Sequence, residues 1–154
     1  MPLLSWWKSR TERTVDQFVP ASVEEVRAFY VDLDKIKLVH PLVVSVRTVA
    51  RTERRDGYVQ TYQIRDRIPL GPFTLNTRYV AVLDVPVAGD VIADSRQSPG
   101  VRLHTVVSFD DVEGGTHVTE KMHIEAPRPL AAFTVREAVH AHAEMLSNIA
   151  RHFA

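Results

Sequence analysis

The last stretch of this chain constrains its fold more than any other. From Leu130 to Phe153 no proline or glycine interrupts the sequence. Val135, Ala138, Val139, His142, Met145, Leu146, Ile149 and Phe153 recur there at the spacing of one broad helical stripe. A helix that is apolar along one side has to bury that side against another layer. The only surface wide enough is built by the residues before it. Pro41 to Glu53, Tyr58 to Ile68, Phe73 to Val85, Val91 to Gln97, Val101 to Asp111 and His117 to Ala126 read as six strands, alternating or rich in β-branched residues. Proline and glycine break the chain between them at Arg54-Arg-Asp-Gly57, Pro69-Leu-Gly-Pro72, Pro86 to Asp90, Ser98-Pro-Gly100 and Gly114-Gly115. Connections this short force neighbouring strands to pair antiparallel, so the helix must lie on one face of an antiparallel sheet.

Ahead of the six strands, Arg13 to Val19 alternates and reads as a first strand ended by Pro20. Ser22-Val-Glu-Glu25 is a capping box, in which the serine hydroxyl takes a free backbone N–H and Glu25 reaches back to the cap. Val23, Val26, Phe29 and Tyr30 then follow at helical spacing. A second helical stretch, Asp32 to Val39, has to end before Pro41, which pushes the residue preceding it out of the helical region. The expected architecture is α+β: a seven-stranded antiparallel sheet wrapped around a long C-terminal helix, with two short helices between strands 1 and 2.

The chain has 154 residues, 45% of them hydrophobic, which suits one domain, read here as residues 11–154 behind a short N-terminal arm, residues 1–10. Nineteen basic residues balance nineteen acidic ones, so the chain lacks the basic footprint of a nucleic-acid binder. The absence of cysteine removes disulfide scaffolds, thiol catalysis and cysteine-based zinc sites. No apolar run reaches the roughly 18 residues of a membrane span, and Met1 to Arg10 has too short an apolar run for a signal peptide. The expected location is the cytoplasm. Leu3, Leu4, Trp6 and Trp7 make the arm too apolar for a free tail, and it is expected to pack on the domain or in a homodimer contact.

This order of elements resembles the helix-grip fold of the START/Bet v 1-like superfamily, also called SRPBCC, and within it the bacterial polyketide cyclase/dehydrase and lipid-transport-like branch. The stretches that carry the resemblance are Val19-Pro-Ala-Ser-Val-Glu-Glu-Val26 with Phe29-Tyr-Val-Asp-Leu33, Gly115-Thr-His-Val-Thr-Glu120, and the terminal helix. The resemblance spans residues 11–153 and speaks to fold more than to chemistry. It implies a hydrophobic ligand, held in a cavity between sheet and long helix, in a family of which only some members are enzymes.

Period-two alternation assigns the strand faces. It turns Val44, Val46, Thr48 and Ala50 inward on the second strand, and Tyr58, Gln60, Tyr62, Ile64 and Ile68 on the third. On the fourth, sixth and last strands the inward sets contain Thr77 and Tyr79, Leu103 and Thr105, and Val118, Glu120, Met122 and Ile124. The face of Val91 to Gln97 is ambiguous. Polar residues in inward phase are the informative ones, because an unpaired buried polar group costs a few kcal/mol. Tyr62, Asp66, Thr77, Tyr79, Thr105 and Glu120, with His142 on the helix, are too many for a solid core and fit a wetted cavity. The expected ligand-binding set is Tyr62, Ile64, Thr77, Tyr79, Leu103, Thr105, Glu120, Met122, Ala138, His142 and Met145. Glu120 and His142 are the candidates for acid–base work. Asp66 sits near a strand end, where fraying would expose it.

Two other patterns carry less. In His140-Ala-His142-Ala-Glu144 the histidines lie two apart and point to opposite sides of a helix, so no metal site is expected, and no cofactor motif appears. Arg47, Arg51, Arg54, Arg55, Arg65 and Arg67 cluster on one hairpin against Glu53, Asp56 and Asp66, as a solvated outer face or a docking patch for an acidic partner. The functional expectation is binding, and possibly transport, of a hydrophobic small molecule or lipid. The alternatives are a polyketide cyclase or dehydratase that uses cavity acid–base residues, and a protein-interaction module.

Overall fold

A computed structural model describes residues 7–154. Seven antiparallel strands form one sheet in the order β1-β7-β6-β5-β4-β3-β2. They are β1 (Lys8–Val19), β2 (Val43–Arg54), β3 (Gly57–Leu70), β4 (Phe73–Pro86), β5 (Val91–Gln97), β6 (Val101–Val112) and β7 (Gly115–Pro127). Two short helices, α1 (Val23–Val31) and α2 (Leu33–Ile36), join β1 to β2, which form opposite edges of the sheet. The long helix α3 (Arg128–Phe153) packs across β1 and β7. This is the expected seven-stranded α+β helix grip.

The local chemistry explains where elements start and stop. The Ser22 hydroxyl accepts the Glu25 N–H at 3.2 Å while the Glu25 carboxylate accepts the Ser22 N–H at 3.3 Å, closing the capping box. α2 is shorter than its pattern predicts. Asp32 leaves the helical region and accepts the Asp34 N–H at 3.1 Å, which starts the new turn. Past Ile36 the chain tightens, with the Leu38 N–H on the Lys35 carbonyl and the Val39 N–H on the Ile36 carbonyl, both at 3.0 Å. β1 begins at Lys8, ahead of its alternating part, because pairing with β7 runs on from Thr11↔Ile124 to Lys8↔Pro127. The N–H of Arg128 then donates to the Trp7 carbonyl at 2.8 Å, tying the start of α3 to the start of β1. Trp7 itself is 38% exposed, and the expectation for Leu3, Leu4 and Trp6 lies outside the described residues.

The buried apolar residues form one core cluster. Val15, Val19, Val118, Met122 and Ile124 from β1 and β7 meet Met145, Leu146 and Ile149 from α3, with Val26, Phe29 and Leu33 closing the side. Burial of this kind contributes roughly 1.5–3 kcal/mol per large side chain. Parity holds along most strands and fails in β2. Bulges fall between Val43 and Ser45 and between Thr48 and Ala50, which leaves Val44 and Val49 exposed. The second bulge reverses the phase, so Ala50 sits exposed opposite Thr61 while Arg51 lies opposite Gln60 and stacks over the Tyr58 ring. Val44 and Ala50 are therefore not inward residues, since an extra residue in one strand turns every later side chain over. On β5 the ambiguity resolves: Val91, Ala93 and Ser95 face the helix side, and Ile92 and Arg96 face out.

Candidate functional site

α3 covers the β1–β7 side of the sheet and leaves a gap over β3 to β6. An inner chamber of about 100 Å³ is walled by Tyr30, Leu33 and Ile36 from the short helices, by Ile64, Ala81, Leu83 and Thr105 from the sheet, and by Met145 from α3. An outer chamber of about 330 Å³ runs past Asp66, Thr77 and Ala138 toward Ile68, Leu75, Pro99, Leu130 and Phe133. His40, Tyr79, Ser95, Leu103 and His142 line both chambers, so the two adjoin. A larger groove of about 410 Å³ lies elsewhere, over Arg10, Arg102, His104 and His123. It opens to solvent and its arginines are already paired with Glu125 and Asp94.

Two carboxylates organise the polar part of the cavity. Glu120 is wholly buried on β7. One of its oxygens accepts the Tyr30 hydroxyl, and the other lies 3.0 Å from Nδ1 of His142. Burial, and then the neighbouring Glu120 charge, push the Tyr30 phenol well above its ordinary range, so it stays a neutral donor. For His142 burial opposes the charged ring, but the Glu120 carboxylate, its hydrogen bond and the more distant Asp66 outweigh that penalty and raise the imidazole pKa. With Nδ1 committed to Glu120, Nε2 is the atom His142 offers to the cavity. His40 packs edge-on against His142 with ring centroids 5.6 Å apart. Its Nδ1 accepts the Leu42 N–H at 3.2 Å. Burial and the adjacent His142 lower its pKa to about 3, so His40 is neutral and its free Nε2 carries a proton to donate.

Asp66 is the second carboxylate. It is 8% exposed, and its Oδ1 accepts the Tyr79 hydroxyl at 3.3 Å. Burial raises its pKa to about 6, against the Tyr79 hydrogen bond and the pull of His142. β3 continues to Leu70, and Asp66 pairs squarely with Thr77, so the expected fraying does not occur and the side chain lies inside, not on the arginine face. The Thr77 hydroxyl is buried in the outer chamber wall with no hydrogen-bond partner among the described residues. The arrangement thus offers an imidazole held by a carboxylate, a neutral imidazole, a carboxyl group that titrates near neutrality and a free hydroxyl, all around an otherwise apolar hollow.

Of the residues expected from parity, Ile64, Thr77, Tyr79, Leu103, Thr105, Ala138, His142 and Met145 line the chambers. Three do not. Tyr62 packs beneath α1 with its hydroxyl 3.4 Å from the Val31 carbonyl. Met122 is fully buried in the core under α3. Glu120 stands behind His142 and acts on the cavity through it. Sequence reasoning missed His40, Ser95 and Tyr30. His40 lies in the turn after α2, where no periodicity assigns a direction. Ser95 lies on the one strand of uncertain phase. Tyr30 reads from its spacing as plain core.

No family model matches the sequence, and no curated protein sequence does. Solved structures match in fold. TTHA0849 from Thermus thermophilus superposes with a TM-score of 0.74 at 18% identity over 92% of this chain and 95% of that one. The di-domain aromatase/cyclase BexL of the BE-7585A biosynthetic pathway gives 0.71 at 14% identity, over 94% of this chain and 50% of that one, so this chain spans half of it. A STAR-related lipid transfer protein from Xanthomonas axonopodis gives 0.60 at 14% identity, over 92% of this chain and 85% of the fragment. The chain shares its fold, a seven-stranded antiparallel sheet gripping a long C-terminal helix, with these proteins.

Proposed function

We propose that this protein binds an apolar small molecule carrying a polar group. The apolar body occupies the chambers, and the polar group lies against His142, His40, Asp66 and Thr77. One observation carries the reading: buried hydrogen-bonding groups with spare capacity converge on an apolar hollow that α3 does not fill. A core under selection for stability alone would not keep them, because each unmet buried polar group costs about 1–3 kcal/mol. Each 100 Å² of ligand surface buried there contributes about 2.5 kcal/mol. That an aromatase/cyclase and a STAR-related lipid transfer protein have the same fold supports the reading.

The test is thermal unfolding with a neutral probe, 2-naphthol, beside native mass spectrometry of the gently purified protein. At a hundred times its Kd the probe contributes about 2.7 kcal/mol, a rise of roughly 5–10 °C in Tm. Ala138→Trp fills the outer chamber and removes the shift. A wild-type Tm that no hydrophobe moves, with no co-purified molecule, overturns the reading.

A second reading, proton transfer on a bound carbonyl compound, is favoured by the Glu120–His142 pair, which resembles an oriented general base. Catalysis requires His142→Ala to lose turnover while 2-naphthol still binds. It also requires Glu120→Gln to lower the His142 titration midpoint seen by NMR.

A further inference from the structure

We propose that the β3–β4 hairpin docks this protein on an anionic lipid bilayer, with the mouth of the cavity turned to the membrane. The proposal goes beyond ligand binding and does not depend on what the cavity holds. At the hairpin tip Leu70 and Phe73 form the last strand pair, 45% and 73% exposed, with Leu75 behind them at 42%. Leu75 and Leu130, the latter 39% exposed on the first turn of α3, both line the outer chamber. Exposed apolar side chains therefore run from the wall of the outer chamber to the hairpin tip, and clusters of this kind mark interaction surfaces.

Charge identifies the partner. Arg65, Arg67 and Arg78 lie exposed on the outer face of the same hairpin. Arg65 and Arg78 are direct cross-strand partners, an arrangement of like charges that weakens a sheet. Among the described residues none of the three has an ion-pair partner, and, unlike Arg13, Arg27, Arg47 and Arg151, which bond to carbonyl or amide oxygens, none has a side-chain hydrogen bond either. The only acid on β3 and β4 before Asp84 is Asp66, which is buried on the opposite face. These cations are left for something outside the molecule.

Their spacing from the tip fits a bilayer. Arg67 lies three pairs behind Leu70↔Phe73, about 10 Å at strand rise. Arg65 and Arg78 lie five pairs behind, about 17 Å. An apolar tip sunk roughly 5–10 Å into the headgroup boundary brings Arg67 to the anionic headgroups and the other two within about a Debye length of them. An acidic protein surface would engage the arginines and leave Phe73 in water.

The experiment is co-sedimentation of the full chain, without added ligand, with phosphatidylcholine vesicles prepared with and without phosphatidylglycerol, beside light scattering of the protein alone. Wild type is expected on the anionic vesicles only, with binding that weakens as salt rises. Phe73→Ser lowers partitioning at least tenfold, from the lost burial of one aromatic side chain. Arg67→Gln lowers it about fivefold, and Arg65→Gln and Arg78→Gln each lower it by less. These residues are exposed, so an unchanged Tm shows that the variants fold. Three results overturn the proposal: wild type that ignores anionic vesicles; binding that needs the arginines but not Phe73, which indicates adsorption without insertion or an acidic protein partner; and a dimer in solution that Phe73→Ser splits, which assigns the tip to a second copy. None of these outcomes touches the 2-naphthol shift, so the two readings fail separately.

Discussion

Single residues in this cavity work against the stability of the fold, and Asp66 shows it most directly. Its carboxyl titrates at about 6 against an ordinary 3.8 because it is buried. A raised acid favours folding while protonated. Its contribution falls as pH rises from 3.8 to about 6 and stays low above that. Asp66→Asn never ionises, so at pH 7 it should stabilise the protein by about 3 kcal/mol, an advantage that fades below about pH 4. Urea unfolding at the two pH values checks this, and 2-naphthol should bind the variant more weakly, the usual trade between stability and function. His142 acts in the same direction: its stabilising contribution is present below its unfolded pKa and is lost as pH rises through its raised folded value. His40 acts oppositely, because a ring held neutral down to about pH 3 costs stability once the unfolded ring charges. At this scale the sequence is half legible. Strand parity turns Glu120 inward, and the helical stripe does the same for His142. Nothing in either pattern says that they meet, since that depends on how far α3 sits from β7. His40 is invisible, because a turn residue has no phase.

At the scale of elements the readable features are those written into local chemistry. Ser22 and Glu25 announce α1, and the uninterrupted stripe announces α3. Gly115 looks like an ordinary hairpin glycine, but the structure gives it a stricter role. A Cβ there would lie 2.2 Å from the Val19 carbonyl oxygen, because β7 starts against the end of β1. Gly115→Ala should therefore cost more than about 2 kcal/mol, measured by denaturant unfolding, although its backbone conformation alone would accept alanine. Elements fail to read where the sheet bends. Val44 and Val49 are β-branched and look like good strand residues, yet both are bulged out. A bulge answers to curvature imposed by the neighbouring strand, which no period within β2 encodes.

For the molecule as a whole, the sequence determines that a helix must cover a sheet but not how completely. The covered part and the open part follow from packing: α3 sits on β1 and β7, while β3, β4 and β5 extend beyond it. Most of the fold was therefore legible, whereas the shape of the hollow was not. One consequence concerns how a guest gets in. α3 starts after Pro127 with no side chain capping its first N–H groups and no acid in its first turn, features that normally fasten a helix start; the Arg128 N–H, on the Trp7 carbonyl, ties it instead. That turn carries Leu130 and leads to Phe133, both at the outer end of the hollow. A lightly fastened turn of the longest helix is thus the doorpost. Backbone amides at 131–134 should exchange with deuterium well before those at 141–149, and a serine or aspartate in place of Pro127 should slow the arrival and departure of 2-naphthol together while leaving its equilibrium affinity nearly unchanged.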